Sequence, residues 1–301
     1  MPSKSWELCF LNSRNSRQRS CAPQRADGIR RTQPRPHRVL RIEMTRWETH
    51  FWYQRRLGFL CGLRWSLANA ADRRGLVHKA VPLRPSCLRH PVLVRMGQSS
   101  DRDLFRDIFI DGGMDFWRTN MGRSPQVIVD LGANVGFTSS FFLSLFPGAF
   151  VLAVEPDPAN FEICKRTLAR YGNRAKVVEG AAWHSCGQLA LSRGTFFDGR
   201  EWATQVCPTA RGVTGSVTAF DMPALLAMCP RNEIDILKID IEGSEKALFS
   251  ENTGEWLPHV HNICIETHGT DCAEAVATAL APYRRRTGQT GEYRLYLDIS
   301  A

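Results

Sequence analysis

The sequence lacks any long hydrophobic run. Across its 301 residues, no apolar stretch approaches the roughly 18 residues of a membrane span, and the first residues lack the apolar region of a secretory signal. The ten cysteines are scattered singly, and none forms the Cys-x-x-Cys pair of a zinc ribbon or redox site. These absences argue against a membrane-spanning protein and against a disulfide-rich secreted domain, and they favour a cytoplasmic protein with free thiols.

Acidic residues are scarce in the first third of the chain. Residues 1–100 carry 20 Lys and Arg against five Asp and Glu, whereas residues 101–301 carry 19 against 25. The net charge of +9 therefore belongs to the N-terminal part and gives no reason to expect nucleic-acid binding by the rest. Residues 1–43, rich in Arg, Ser, Pro and Gln, are predicted to be a disordered basic extension.

Residues 44–89 are predicted to form a helical N-terminal segment. Between residues 47 and 70, aromatic and leucine side chains alternate with Arg55, Arg56 and Arg64, as in one or two amphipathic helices. We expect this stripe to pack on its own domain, and peripheral contact with a membrane interface through residues 47–70 is the alternative. The remaining domain is predicted to span residues 90–301.

Residues 127–155 have the pattern of a βαβ unit. A β-branched run over residues 127–129 is typical of a buried parallel strand, and Gly132-Ala133-Asn134-Val135-Gly136 follows as a small-residue turn. An apolar helical stretch and a second apolar strand come next. That strand ends at Glu155, about 20 residues after the last glycine, where a carboxylate can bind both hydroxyls of a ribose.

The turn differs from a dinucleotide-binding fingerprint. That fingerprint has glycine at the position of Asn134 and glycine or alanine at the position of Phe137, which let the backbone approach a pyrophosphate. The two residues argue against a nicotinamide-dependent oxidoreductase. The Asp-x-Gly-x-Asn-x-Gly pattern instead resembles motif I of class I S-adenosylmethionine-dependent methyltransferases.

Polar side chains follow several predicted strands. The strand over residues 236–239 precedes two acids, and the strand over residues 263–265 precedes an acid and a histidine. Because ligands in open α/β sheets bind outside the carboxyl ends of the strands, these side chains should meet at one rim. They are Asp130, Glu155, Asp240, Glu242, Glu266 and His268.

Four stretches together resemble the FkbM-type methyltransferase family. They are Asp-Leu-Gly-Ala-Asn-Val-Gly, Val-Glu-Pro-Asp, Leu-Lys-Ile-Asp-Ile-Glu-Gly-Ser-Glu and Ile-Glu-Thr-His. The likeness covers residues 90–300, and its most distinctive run is 238–245; residues 1–89 have no counterpart. The resemblance implies an α/β fold with a Rossmann-like class I methyltransferase sheet and helices on both faces.

The resemblance also implies S-adenosylmethionine as cofactor and a hydroxyl of a sugar or natural product as acceptor. The residues expected at the cofactor are Asp130, Gly132, Ala133, Asn134, Gly136, Glu155 and Ala181. The expected catalytic residues are His268, Asp240 and Glu242, with His268 as first candidate for the base because its ordinary pKa suits neutral pH. No metal is expected, although Asp240, Glu242, Glu266 and His268 could bind a divalent cation.

Other functions stay open. The acceptor could be RNA or a protein, recognised through the basic N-terminus, or the chain could bind S-adenosylmethionine without catalysis. We expect a small-molecule or glycan acceptor and no nucleic acid.

Overall fold

The computed structural model describes residues 46–76, 80–97, 99–192, 205–207 and 215–301. These residues belong to one compact unit, Met44–Ala301. The Gly- and Thr-rich sequence between Ser192 and Val213 predicts a mobile loop over the site. This prediction and the one for residues 1–43 fall outside the described residues, except at 205–207. No helix within the described ranges is long and apolar enough to cross a membrane.

Nine α-helices are found in the described part of the chain. They are α1 Arg46–Leu57, α2 Phe59–Asp72, α3 Asp101–Arg106, α4 Phe137–Leu145, α5 Pro158–Leu168, α6 Met222–Leu226, α7 Glu245–Leu248, α8 Thr253–Trp256 and α9 Thr270–Leu280. A π-helical turn, Asp107–Asp111, extends α3.

The same residues form thirteen strands. They are β1 Ala80–Leu83, β2 Val92–Arg95, β3 Val127–Leu131, β4 Phe150–Glu155, β5 Ala175–Glu179, β6 Ala181–Ala182, β7 Gly187–Ser192, β8 Gln205–Cys207, β9 Gly215–Phe220, β10 Ile236–Ile239, β11 Ile263–Ile265, β12 Arg284–Thr290 and β13 Tyr293–Ser300.

A seven-stranded sheet organises the fold, in the order β12-β13-β11-β10-β3-β4-β5. The five strands from β11 to β5 are parallel, and the C-terminal hairpin adds β13 and β12 in the antiparallel sense. β3 and β10 are buried at every residue, as their apolar sequences predict. The α/β class and the Rossmann-like sheet expected from the sequence are therefore confirmed.

The strand order reverses next to β3. From β3 the chain proceeds to β4 on one side, whereas β10, much later in the sequence, pairs with the other side of β3. Such a reversal leaves a crevice at the carboxyl ends of the two strands, which is where ligands bind in open α/β sheets. The candidate site lies there.

The N-terminal helices pack beside the central domain. Trp65 of α2 is buried and stacks on Phe105 of α3, with 4.7 Å between the ring centroids. Phe105 in turn lies 5.9 Å from Phe137, the first residue of α4. The segment expected to be helical over residues 44–89 also contains a strand, β1, which pairs with β2.

Candidate active site

The turn after β3 contains three residues with left-handed backbone. Gly132, Asn134 and Gly136 have φ of 73°, 49° and 82°, a region that favours glycine and tolerates asparagine. A Cβ on Gly132 would collide with the backbone carbonyl oxygen of Asp240. The sequence predicts that these glycines allow a ligand to approach the backbone closely. In the structure, Gly132 also allows close approach of the segment that carries Asp240.

Glu155 ends β4 and faces this turn. Its Oε2 accepts a hydrogen bond from the backbone N–H of Asn134 at 2.7 Å, and its Oε1 accepts one from that of Asp157 at 3.0 Å. Burial raises the pKa of Glu155 to about 7, although these two N–H groups favour the carboxylate. Oε1 also accepts from Asn160 Nδ2 at 3.4 Å, whereas Oε2 keeps a lone pair with which it can accept from a ribose hydroxyl.

A cleft opens at the carboxyl ends of β3, β4 and β10. Its cavity volume is about 60 Å³, smaller than that of most small-molecule sites. The expected cofactor residues in its lining are Gly132, Ala133, Asn134, Glu155 and Ala181. The Oδ1 atom of Asn134 is buried and has no hydrogen-bond partner among the described residues. An unpaired acceptor in such a cleft fits a ligand with an amino group, as the methionine part of S-adenosylmethionine has.

Two of the expected cofactor residues lie behind the cleft. Neither Asp130 nor Gly136 is among the described residues that line the cleft. Asp130 is fully buried and accepts a hydrogen bond from Ser139 Oγ at 2.6 Å. A Cβ on Gly136 would lie 3.0 Å from Cys164 Sγ of α5. Both residues therefore support the turn from below.

Lys238, which was not among the residues expected at the site, joins the turn after β3 to the neighbouring strand β10. Its side chain is 3% exposed, and its Nζ lies 3.3 Å from Asp130 Oδ1 and 3.5 Å from Asp240 Oδ2. The same Nζ donates to the carbonyl oxygen of Gly132 at 2.8 Å. Burial alone would lower the pKa of Lys238, but the charges of Asp130 and Asp240 raise it above its usual value. The sequence feature that could have identified Lys238 as a site residue is a lysine inside an otherwise apolar strand.

His268 lies among four carboxylates. Its Nδ1 is 2.9 Å from Oε1 of Glu245, which is fully buried. Its Nε2 faces Glu242 at 3.5 Å, Glu266 at 3.6 Å and Asp240 at 3.9 Å. The structure therefore brings together the three expected catalytic residues and adds Glu245, which the sequence analysis did not select.

The charges in this group shift one another's pKa values. Burial alone would lower the pKa of His268, but the hydrogen bond and charge of Glu245, with the charge of Glu242, raise it to about 9. Burial and then the charge of Asp240 raise the pKa of Glu242 to about 7 and that of Glu266 to about 8. Despite burial, His268 keeps the pKa of Glu245 below its usual value. At neutral pH the histidine is therefore an imidazolium.

Glu242 has a strained backbone. Its φ is 52°, in the left-handed region that a glutamate rarely adopts, and Gly243 follows with φ of 96°. Such strain costs on the order of 1–3 kcal/mol and is found most often at functional sites. Here it directs the Glu242 carboxylate towards His268.

A second cavity, which we name the acceptor cavity, adjoins the cleft. The two share five lining residues, which are Leu104, Asn134, Asp240, Glu242 and Tyr293. The Tyr293 hydroxyl donates to Asp240 Oδ2 at 3.1 Å. Tyr293 was missed because the antiparallel pairing that brings β13 to this rim is long-range and leaves no local sequence pattern.

Three of the grouped residues have the spacing of metal ligands. Asp240, Glu266 and His268 each offer one ligand atom, and these atoms lie within 4.8 Å of one another. The same side chains form the carboxylate–imidazolium group described above.

The chain matches known methyltransferases in sequence. The model of the Methyltransferase FkbM domain matches residues 130–297. The 31-O-demethyl-FK506 methyltransferase FkbM of Streptomyces tacrolimicus is 27% identical over 209 residues, which are 59% of this chain and 78% of that protein. Methyltransferase sdnD of Sordaria araneosa is 26% identical over 196 residues, or 54% of this chain and 73% of that protein.

A solved structure with a related description is also similar. It is methyltransferase FkbM from Methylobacillus flagellatus KT, with a TM-score of 0.40 and 19% identity; the match covers 60% of this chain and 46% of that chain. The family assignment rests on the domain match, which spans more than half of this chain. The protein is thus a methyltransferase and belongs to the FkbM methyltransferase family, whose membership implies use of S-adenosylmethionine.

Proposed function

We propose that the protein transfers a methyl group from S-adenosylmethionine to a hydroxyl oxygen of a sugar or natural product. The observation that carries this proposal is the shared wall between the cleft and the acceptor cavity, formed by Asn134, Asp240 and Glu242 among others. Ligands in the two spaces would adjoin each other there. The name of the Streptomyces relative, which specifies an oxygen of FK506, supports an oxygen acceptor.

The charge of the acceptor cavity supports a neutral or cationic acceptor. Six carboxylates contribute to its lining, and they are Asp103, Asp107, Asp240, Glu242, Glu266 and Glu292. Although the raised pKa values of Glu242 and Glu266 leave these two partly protonated at neutral pH, the other acids repel anions, including the phosphates of RNA. This lining is why we prefer a sugar or natural product to the RNA acceptor that the sequence left open.

The cofactor would be held along the cleft. When bound, S-adenosylmethionine supplies a methyl group activated by its sulfonium. Glu155 would accept hydrogen bonds from the ribose hydroxyls, and Asn134 would contact the methionine amino group. Ala181 is buried in the cleft wall, where a small side chain leaves space for the adenine. Asp130 and Gly136 would keep the turn in shape behind these contacts.

The acceptor hydroxyl would lie beside Asp240 and Glu242, which line both spaces, with His268 Nε2 at 3.9 Å and 3.5 Å from their carboxyl oxygens. The carboxylates of Asp240 and Glu242 can orient the hydroxyl by accepting its hydrogen bond, and alignment of this kind lowers the barrier to transfer. We propose His268 as the base that receives the hydroxyl proton on Nε2, because Glu245 holds Nδ1. Since the pKa of His268 is about 9, turnover should increase with pH up to that value. The imidazolium also supplies positive charge among the carboxylates.

Calorimetric titration tests the proposal. We expect S-adenosylmethionine to bind saturably and NAD not to bind, and we expect Glu155→Ala to weaken binding at least about tenfold because hydrogen bonds to a charged group are lost. Glu162→Ala, which removes a carboxylate that is 61% exposed on α5, should bind as the unchanged protein does. Binding of NAD, or of neither compound by folded protein, would contradict the proposal.

A screen of acceptors then separates an enzyme from a cofactor-binding protein. Release of S-adenosylhomocysteine would be followed with neutral and amino sugars, polyhydroxylated natural products and RNA. Turnover with a hydroxyl compound, lost in His268→Gln with cofactor binding intact, is the expected result. Turnover with RNA alone would contradict the proposed acceptor class.

A further inference from the structure

The exposed apolar surface of the described chain is concentrated in one short region. All six large apolar side chains that are exposed lie between residues 52 and 76. They are Trp52, Phe59, Leu60, Leu63, Leu67 and Leu76, and Leu60 is 74% exposed. An exposed apolar patch of this kind marks an interaction surface.

Helix α2 is apolar on two faces. Cys61, Trp65 and Ala68 are buried against the domain. Trp65 belongs to the aromatic and leucine stripe that the sequence predicted to pack there, but most of the leucines of that stripe in α2 are exposed. Leu60, Leu63 and Leu67 recur at the spacing of one helix face and are exposed. The packing of α2 on its own domain therefore accounts for one face, and the second face is available for another partner.

The segment that carries the exposed face is rich in positive charge. From Trp52 to Ala71 the chain contains no Asp or Glu. The arginines Arg55, Arg64, Arg73 and Arg74 are exposed. Aromatic and leucine side chains flanked by arginines suit the boundary between the headgroups and acyl chains of an anionic membrane.

The sequence before the helices carries charge of the same sign. Residues 1–43 contain ten Lys and Arg against three Asp and Glu. Stable membrane anchoring without a spanning helix needs two signals, such as an apolar insertion and a basic segment. Both signals are present in this part of the chain, and both favour an anionic surface.

We infer that the exposed face of α2, with Trp52 of α1, docks on an anionic phospholipid surface. Phe59, Leu60, Leu63 and Leu67 insert at the level of the headgroups, and the exposed arginines contact lipid phosphates and carboxylates. The inference concerns a surface separate from the cleft. It does not depend on the proposed acceptor or on the catalytic residues.

Vesicle flotation of the full chain tests the inference. Vesicles of phosphatidylcholine alone would be compared with vesicles that also contain phosphatidylserine, at low and high salt. We expect the protein to float with the phosphatidylserine vesicles and to be released by salt. We expect about tenfold less binding to vesicles of phosphatidylcholine alone.

Two sets of substitutions identify the surface. The first replaces Phe59, Leu60, Leu63 and Leu67 by serine, and the second replaces Arg55, Arg64, Arg73 and Arg74 by glutamine; each should reduce vesicle binding about tenfold. A matched control replaces the exposed Arg166, Arg170, Arg231 and Arg286 by glutamine and should bind as the unchanged protein does. Binding of S-adenosylmethionine, measured for every variant, establishes that the variant is folded.

Three outcomes would overturn the inference. The first is that the folded protein floats with neither kind of vesicle. The second is that the serine variant binds as well as the unchanged protein, or that the control loses as much binding as the arginine variant. The third is that the face is occupied by another part of the protein or by a second copy. In the first case the chain without residues 1–43 would gain vesicle binding that the full chain lacks. In the second case the full chain would dimerise through this face.

Discussion

Glu155 is placed to organise the turn beside the cleft and, as we propose, to bind a ligand. In the structure its two oxygens accept backbone hydrogen bonds from Asn134 and Asp157, which stabilise the turn. Burial nevertheless raises its pKa to about 7. The carboxylate is the form that accepts hydrogen bonds from two ribose hydroxyls. Cofactor binding and deprotonation of Glu155 should therefore be linked.

This linkage predicts how cofactor affinity depends on pH. Below a pH of about 7 the free protein carries a proton on Glu155, which must leave before both hydroxyls are bound, so that affinity for S-adenosylmethionine falls as pH decreases from 8 to 6. Calorimetry at three pH values measures the effect. Glu155→Gln should bind weakly at each pH, with little variation. Affinity independent of pH in the unchanged protein would contradict the assigned role.

Gly132 provides a second prediction at the scale of one residue. Gly132→Ala would place a Cβ against the carbonyl oxygen of Asp240, in backbone with φ of 73°. Because the two segments directly follow the paired central strands β3 and β10, neither can move freely, and we expect a loss of more than about 3 kcal/mol in the free energy of unfolding, measured by urea denaturation. In Gly148→Ala the nearest contact is 3.9 Å away, and we expect little change. Equal free energies of unfolding for the two variants would show that the close approach of Gly132 to the Asp240 carbonyl tolerates a side chain.

At the scale of elements, Lys238 connects β10 with β3 and with the turn that follows it. The ammonium group contacts Asp130 on β3, Asp240 after β10 and the carbonyl oxygen of Gly132. A buried ion pair contributes little over an apolar alternative, but removal of one partner leaves an unpaired buried charge. Lys238 therefore holds two carboxylates together that would otherwise repel each other.

Lys238→Met should be severely destabilising. Asp130 is fully buried and would lose its cationic partner, so that the free energy of unfolding should fall by roughly 3–5 kcal/mol, with a matching loss of S-adenosylmethionine binding as the Gly132 carbonyl is released. The matched control is Lys246→Met, whose partner Asp271 lies 2.8 Å away but is 70% exposed; its stability should hardly change. If both variants are equally stable, Lys238 does not connect the strands in this way.

The elements that the sequence predicted correctly are those with a strong local pattern. The β-branched runs of β3, β4, β10 and β11 are continuous because both faces of the sheet are covered, and the turn after β3 carries its own glycine pattern. The π-helical turn Asp107–Asp111 was missed because its sequence is compatible with an ordinary helix.

The candidate site was predictable only in part. Residues at the ends of parallel strands could be placed on one rim from the strand pattern, which located Asp240, Glu266 and His268. Tyr293 comes from an antiparallel strand paired across a long sequence separation. Asp130 lies at the predicted rim, but its side chain points to Ser139 and Lys238. The direction of a side chain at a strand end depends on its three-dimensional neighbours, which the sequence does not supply.

At the scale of the whole molecule, the site concentrates groups that bind protons more tightly in the folded chain than in the unfolded chain. The raised pKa values are about 6 for Asp107, 7 for Glu155, 7 for Glu242, 8 for Glu266 and 9 for His268. Glu245 is the exception within the histidine group, since its pKa is lowered. The acidic groups that allow the cavity to repel anions and attract an acceptor hydroxyl therefore reduce the free energy of unfolding.

The sign of this cost follows from proton linkage. A carboxyl group or a histidine with a raised pKa contributes stability that is present at pH values below its unfolded pKa and is lost as pH increases through its folded pKa. The stability contributed by the carboxyl groups is lost as pH increases from about 4 to 8, and that contributed by His268 is lost from about pH 6.5 to 9. The opposite contribution of Glu245 changes only below pH 4.5. Stability should therefore decrease steadily between pH 6 and pH 9.

Thermal unfolding at these two pH values tests the prediction. We expect the melting temperature to be lower at pH 9 than at pH 6 by roughly 5 °C or more, given about 2–4 °C per kcal/mol for a domain of this size. Glu242→Gln with Glu266→Gln removes two of the shifted groups and should flatten the dependence, whereas Glu162→Gln, at an exposed position, should leave it unchanged. The double variant should also be the more stable protein at pH 9, because an amide beside Asp240 carries no charge to repel. A melting temperature that increases towards pH 9 would mean that the fold stabilises the carboxylates of the acceptor cavity. The repulsion that we assign to the group around His268 would then be wrong.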